Sequence, residues 1–200
     1  LVGSEMCIRD RLSSLEFYRQ GLVRQPVPAN DHIQPFIDAQ VPGLWVYYCC
    51  AQSSLVPNRF FAMESARNRI MGVLMYLYGI KGFLHWGYNF YNSKFSLHPV
   101  DPYRVTHADY AFPSGDPFLV YPGPDGAPLS SVRAEVQDDA LLDLRALRLL
   151  EQLAGRAFVE ELIYADAEMR PMTFRDYPRG AGYLLALRER VAAEIESRLA

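Results

Sequence analysis

Residues 44–88 read LWVYYCCAQSSLVPNRFFAMESARNRIMGVLMYLYGIKGFLHWGY, and the fold turns on this stretch. It opens on Leu44-Trp45-Val46-Tyr47-Tyr48-Cys49-Cys50 and closes on Gly82-Phe83-Leu84-His85-Trp86-Gly87-Tyr88. Short apolar runs without alternation suit strands covered on both faces, as in a parallel sheet. Between them, Glu64 to Tyr78 is apolar at Ile70, Val73, Leu74 and Leu77, which is helical spacing, and Gly79 is placed to cap that helix. Strand, helix and strand with short connections make a βαβ unit. Such a unit predicts a parallel pair joined by a right-handed crossover.

Working outward, Leu12 to Gln20 reads as the tail of a helix closed by Gly21. A loop through Pro26, Pro28 and Asn30 leads to a short helix over 31–40, ended by Pro42-Gly43. On the other side, Asn89 to Gly115 is long, irregular and rich in Tyr, Pro, His, Ser and Asn. Phe118 to Tyr121 reads as a third strand, parallel to the others, closed by Pro122-Gly123-Pro124-Asp125-Gly126. Ser130 or Ser131, with Glu135 as a capping partner, starts a helix that runs to about Leu153 and stops at Gly155. Amphipathic helices follow over 156–164 and 182–199, the last with Arg190 and Glu194 four apart. The pattern is α/β, and it suits a doubly wound sheet or part of a barrel. No GxGxxG or GxxxxGK[ST] follows a strand, which argues against nucleotide binding.

Composition narrows the function classes. In 200 residues, 50% hydrophobic and 13% aromatic content supports a packed core and excludes disorder. The net charge of -3 comes with no basic patch, so nucleic acid is not an expected partner. No apolar run reaches the roughly 18 residues of a membrane span. Cys49 and Cys50 are neighbours in an apolar run, without the CxxC pairing of a metal site. They read as buried and reduced, which favours a reducing compartment such as the cytoplasm. No metal or cofactor is expected.

Leu1 to Arg11, LVGSEMCIRDR, resembles a translated sequencing adapter and lacks the architecture of a signal peptide. It is set aside from fold reasoning, together with Cys7. The resulting expectation is a chain cut upstream.

The strand ends carry the functional signal. The residues just beyond each strand are aromatic or bear amides: Gln52, Asn89, Tyr91 and Asn92. Barrel active sites lie at the C-terminal ends of strands. Sugars are held there by aromatic faces against C–H surfaces and by amides or carboxylates on hydroxyls. Trp86 is therefore either the platform under a sugar ring or a core indole. Asn89, Tyr91 and Asn92 either bond sugar hydroxyls or shape the loop. Tyr47, on the strand face of Trp45 and Cys49, either lines the site or packs the core. Asp116 either binds a hydroxyl or caps a turn. His85 faces away from Trp86 and reads as structural. Asp138, Asp139 and Asp143 suit the early turns of a helix. Arg67 and Arg69 read as structural pairing partners, and Arg133 as an ion-pair tether.

Several of these residues also form an ordered series: Trp45, Tyr47, Arg69, Gly82-Phe83-Leu84 with Trp86, Asn89 and Tyr91, then Gly115-Asp116, Tyr121-Pro122-Gly123, Ser131, Arg133, Asp139 and Asp143. The series resembles the domain of unknown function 4091, also called the catalytic domain of glycoside hydrolase family 123, from about Trp45 to Leu150. The resemblance implies a (β/α)₈ TIM barrel, of which this chain would be the incomplete C-terminal portion followed by C-terminal helices. It implies residues 12–164 as a partial catalytic domain and 165–200 as a helical extension. It implies a glycan substrate, a β-N-acetylhexosaminide such as an N-acetylgalactosaminide, and a substrate-assisted retaining mechanism. There the substrate's own acetamide attacks the anomeric carbon while an adjacent Asp-Glu pair assists, an exception to two-carboxylate chemistry. This sequence departs from the family twice. It contains no Asp-Glu dipeptide, and Asp138-Asp139-Ala140 stands where an Arg-Asp-Gly step is usual. The chain is thus expected to lack the catalytic acids, to be inactive alone, and to need the N-terminal half of its own barrel. The rival reading is a carbohydrate-binding barrel without catalysis.

Overall fold

The computed structural model describes residues 14–200, so the string 1–11 lies outside the described residues. Two strands, β1 (Trp45–Tyr48) and β2 (Gly82–His85), pair in parallel, with Trp45 opposite Gly82 and Tyr48 opposite His85. Helices α1 (Leu15–Arg19) and α2 (Gln34–Asp38) precede β1, and α3 (Ala66–Arg69) and α4 (Met71–Leu77) connect it to β2. The expected βαβ unit is present, with its helix interrupted at Ile70. It ends in a Schellman turn. Ile80 N–H donates to Met75 O (2.9 Å) and Gly79 N–H to Tyr76 O (3.1 Å), closing the carbonyls that the last turn leaves free.

The loop expected around Pro28 is instead a short extended segment beside β1. Asn30 N–H donates to Tyr47 O (2.9 Å), Tyr47 N–H donates to Pro28 O (3.1 Å), and Ala29 bridges Tyr47 in parallel. Two prolines mark a breaker in sequence, yet Pro28 uses only its carbonyl here, which an edge position permits. The parallel order is therefore residue 29, β1, β2.

The third parallel strand expected at Phe118–Tyr121 does not form. Phe118 bridges Asn89 in antiparallel sense, and β3 (Tyr121–Pro122) pairs antiparallel with β4 (Pro128–Leu129). Phe118 and Leu119 are buried, so the run is apolar because a loop buries it, which a short run cannot distinguish from a strand. The chain reverses at Gly87 (φ +64), where an added Cβ would lie 2.6 Å from Asp116 O. Only glycine tolerates both the left-handed backbone and that approach.

Three helices complete the chain. α5 (Val132–Ala154) starts at Ser131, whose Oγ accepts from Ala134 N–H at 3.3 Å, while Glu135 bonds Ser130. It ends at Gly155 (φ +83), and α6 (Arg156–Tyr164) and α7 (Ala181–Leu199) follow. Among the described residues no helix is long and apolar enough to cross a membrane.

The two faces of β1–β2 differ. Val46, Tyr48 and Phe83 meet a continuous core that takes in Ile70, Val73 and Leu74 of α3–α4, Leu144, Leu147 and Leu150 of α5, and Leu187 and Val191 of α7. The other face carries a small cluster, Ala29, Tyr47 and Cys49, flanked by half-buried Leu84 and Trp86. Trp45, on this second face, is 39% exposed, and its indole lies across Gly82, where a Cβ would stand 2.2 Å from Cε2.

Arg69 is a structural pairing residue, as expected, and its main partner is Asp143. Arg69 Nε reaches Asp143 at 2.7 Å, Arg188 Nη1 reaches the same carboxylate at 2.8 Å, and Asp139 lies 3.4 Å from Arg69. Arg133 corrects its expectation. Its guanidinium donates to the carbonyls of Phe118 (2.7 Å) and Gly115 and covers the Phe61 ring at 4.7 Å, in place of an ion pair. Arg190 pairs with Asp166, and Glu194 with Arg198, where an Arg190–Glu194 contact is expected.

Candidate active site

Several buried polar side chains gather at the C-terminal ends of the parallel segments. Asn30 follows Ala29, Gln52 follows β1, and Asn58 and Arg59 close the loop before α3; all four are buried, as is Asp116. They form one connected network. Gln52 Oε1 accepts from Cys49 N–H (3.0 Å), and its Nε2 donates to Asp31 Oδ1 (3.1 Å). Asn58 Nδ2 donates to the carbonyls of Cys49 and Gln52, both at 2.8 Å, and Asn30 Nδ2 to Pro57 O at 2.8 Å. These bonds clamp the loop to the strand ends by satisfying carbonyls that no ladder reaches.

Arg59 and Asp116 sit at the centre, with side chains 0% exposed and Nη1 to Oδ1 at 3.6 Å. Arg59 Nη2 also donates to Asp116 O (2.6 Å) and Trp86 O (3.0 Å). The Trp86 indole N–H points at Asp116 Oδ1 from 3.4 Å. Both ends of Trp86 are thus held, its backbone by the cation and its ring by the carboxylate. Phe112 (5.1 Å) and Phe90 (6.0 Å) pack against the same indole.

Satisfaction is incomplete. Arg59 Nε, Asp116 Oδ2, Asn30 Oδ1 and His85 Nε2 are buried without a partner. Burial pushes the Asp116 carboxyl up to about 6, against the pull of Arg59, the Trp86 indole and Arg133. Asp116 is thus a buried carboxyl with one oxygen unpartnered, beside an indole at a strand end.

The catalytic-domain model of glycoside hydrolase family 123 matches residues 2–150. The chain belongs to this family. The match also takes in most of the adapter-like string 1–11. No curated protein matches the chain.

In this glycoside hydrolase 123 domain, three of the six residues singled out from sequence come together. Trp86 and Asp116 are hydrogen-bonded, and Tyr47 shares the small apolar cluster that Trp86 flanks. The other three lie along the loop after β2. Asn89 is exposed and bridges Phe118, and Asn92 bridges Pro99. Tyr91 donates its hydroxyl to Val120 O (2.7 Å) and packs on Phe118 at 5.7 Å. Its hydroxyl is engaged within the protein. His85 stands on the helix-covered face among Tyr48 and Phe83, with Nδ1 2.5 Å from Trp86 O. Burial, then Arg59, depress it to about 3, so the ring is neutral near pH 7.

Arg59, Asn58 and Asn30 escaped the sequence reading. The available signal was Pro57-Asn58-Arg59-Phe60-Phe61, an amide and a cation running into two phenylalanines at the end of a strand-end loop. Among the described residues no group of three His, Cys, Asp or Glu is arranged to hold a metal ion.

Proposed function

We propose that this glycoside hydrolase domain is the C-terminal portion of a (β/α)₈ barrel acting on a β-N-acetylhexosaminide. In this reading residues 12–164 belong to the barrel and 165–200 form a helical extension packed on it. Trp86 is the floor under the sugar ring, and Asp116 takes a sugar hydroxyl with its free oxygen. Tyr47 lines the same wall. Asn89, Asn92 and Tyr91 form the rim, the amides reaching hydroxyls and Tyr91 bracing the loop. The observation that carries the reading is the doubly held indole of Trp86, at the C-terminal end of a parallel strand in a glycoside hydrolase family. Such an end is where barrel enzymes bind substrate, and a fixed indole gives stacking area at little entropic cost.

The chemistry is substrate-assisted. The acetamide carbonyl oxygen attacks the anomeric carbon, and the glycosidic C–O bond breaks as a general acid protonates the leaving oxygen. Water then opens the cyclic intermediate with retention. An Asp holds the acetamide and the following Glu is the acid. The sequence contains no Asp-Glu step. In this reading those acids stand on barrel strands that cover the open face of β1–β2, where Trp45 and Leu84 await a partner. The test is hydrolysis of aryl β-N-acetylhexosaminides by the domain joined to the barrel half encoded upstream. Turnover that falls at least about 100-fold on Trp86→Ala supports the proposal, since a misplaced substrate costs that order. A folded protein that hydrolyses no aryl glycoside defeats it. The missing dipeptide also favours a second reading, a carbohydrate-binding barrel without catalysis. Saturable glycan binding without hydrolysis, lost on Trp86→Ala, would select it.

A further inference from the structure

The loop between β2 and β3 contains a feature that the proposed site does not use. Ala108, Asp109 and Tyr110 all have positive φ (47°, 62° and 62°). A single left-handed non-glycine residue is uncommon, and three in succession persist only where neighbours over-determine them. The neighbours here are specific. Ala108 is buried beneath the turn, Asp109 Oδ2 meets His98 Nε2 at 3.2 Å, and Ala111 and Phe112 both donate N–H to His107 O (3.0 and 3.1 Å).

This turn holds out a ring pair. Tyr110 is 89% exposed and stacks on His107, with centroids 4.3 Å apart and planes at 26°. Tyr110 N–H donates to His107 Nδ1 at 2.8 Å, which puts the imidazole proton on Nε2. The pair is rigid and amphipathic, with a ring face, a phenol and an N–H. An aromatic buried for packing would not be that exposed.

Its position relative to Trp86 is fixed by the same turn. Phe112 packs on Trp86 at 5.1 Å, and its backbone N–H is bonded to the His107 carbonyl. Tyr110 and Phe112 are two residues apart, a chain reach of about 7 Å at most. The turn that carries the ring pair therefore adjoins the Trp86 indole.

We propose that His107 and Tyr110 form a second saccharide platform. It takes the sugar joined to the one seated on Trp86, which makes the ligand an oligosaccharide rather than a simple glycoside. The proposal rests on the reading of Trp86 as the floor of the site. Stacking on Tyr110 supplies affinity, and His107 Nε2–H and the phenol bond the second sugar's hydroxyls. The strained turn keeps both rings in place before binding, so little side-chain freedom is lost.

The test is direct binding to the full chain, by ligand-observed NMR titration. The probes are methyl β-N-acetylhexosaminide and a β-linked N-acetylhexosaminyl disaccharide. The disaccharide is expected to bind about tenfold tighter, the equilibrium equivalent of one good ring contact. Tyr110→Ala should abolish that advantage and leave the methyl glycoside unchanged, while Tyr110→Phe keeps most of it. Tyr110 is a surface residue, so the variants should fold as the parent does. A disaccharide advantage that survives Tyr110→Ala overturns the platform. If Trp86→Ala at the same time weakens both probes, the proposed floor stands alone. Loss on Tyr110→Ala with no effect of Trp86→Ala supports the platform and removes the floor. Binding of neither probe overturns both, and a protein partner captured through Tyr110 in that case makes the ring pair a protein contact.

Discussion

The two faces of β1–β2 are built from alternate residues of the two strands and of Trp86 just after β2, yet they serve different ends. One face presents buried Val46 and Tyr48 and half-buried Phe83 to the helical core, and is the more closed of the two. The other presents Trp45, Tyr47, Leu84 and Trp86, and is covered by a cluster of a few side chains. Alternation along a strand makes this separation possible, because every second side chain points to the same side. Stability is concentrated on the more closed face. The open face keeps Trp45 and Trp86 partly exposed while Tyr47 is buried, and its polar network is crowded at the strand ends.

The open side has one point where truncation should be as costly as in the core. Asp116 and Arg59 are both fully buried, so Asp116→Ala leaves an uncompensated guanidinium without access to water. A loss of about 3–5 kcal/mol is expected. Asp143→Ala is the control, since Arg188, one of its two partners, is 39% exposed and can be hydrated in its place. Its cost should be well below that of Asp116→Ala. Equal urea midpoints for the two variants would show that the strand-end network is no more dependent on its charges than the helix layer.

A second comparison divides the faces directly. Leu74 is 0% exposed where α4 meets the sheet, whereas Leu84 is half-buried on the open side. Leu74→Ala should cost about 2–5 kcal/mol, the range for a buried leucine with its cavity. Leu84→Ala should cost about 1 kcal/mol or less, because little apolar area leaves water there. Chemical denaturation with unchanged m-values measures both. A Leu84→Ala loss matching Leu74→Ala would mean that the open face is already a packed core.

Much of this division was legible in the sequence. The runs at Leu44 and Gly82, the 3.6-residue spacing from Ile70 and the cap at Gly79 all act within a few residues, and each predicted its element. The alternation of side chains along the second strand also separated Trp86 from His85. What escaped depends on contacts distant in sequence. Arg59 looks like a loop cation until Asp116, 57 positions later, is folded against it. Phe118 looks like a strand because burial in a loop and burial in a sheet select the same residues. Pro28 looks like a breaker because sequence does not reveal that only its carbonyl is needed. Tyr91 reads equally as a sugar ligand or as a shaper of the loop, because sequence does not reveal that its hydroxyl donates to Val120 O.

The sharpest comparison of the two faces is in pH. His85 on the more closed face titrates near 3, against an ordinary 6.5. Between those values the unfolded chain holds a proton that the folded chain lacks, so stability rises with pH. Asp116 behind the open face titrates near 6, against an ordinary 3.8. There the folded chain holds the extra proton, so stability falls with rising pH. From about pH 4 to 6 the two slopes oppose, each up to about 1.4 kcal/mol per pH unit for one proton. His85→Leu removes only the first. Relative to the parent, it should therefore lose stability steadily as pH rises from 4 to 6, and run parallel to it above pH 7. Urea midpoints at unit pH intervals would measure the difference. Curves that stay parallel throughout would mean that His85 is hydrated and titrates normally, and the more closed face would then be open to water at its strand end.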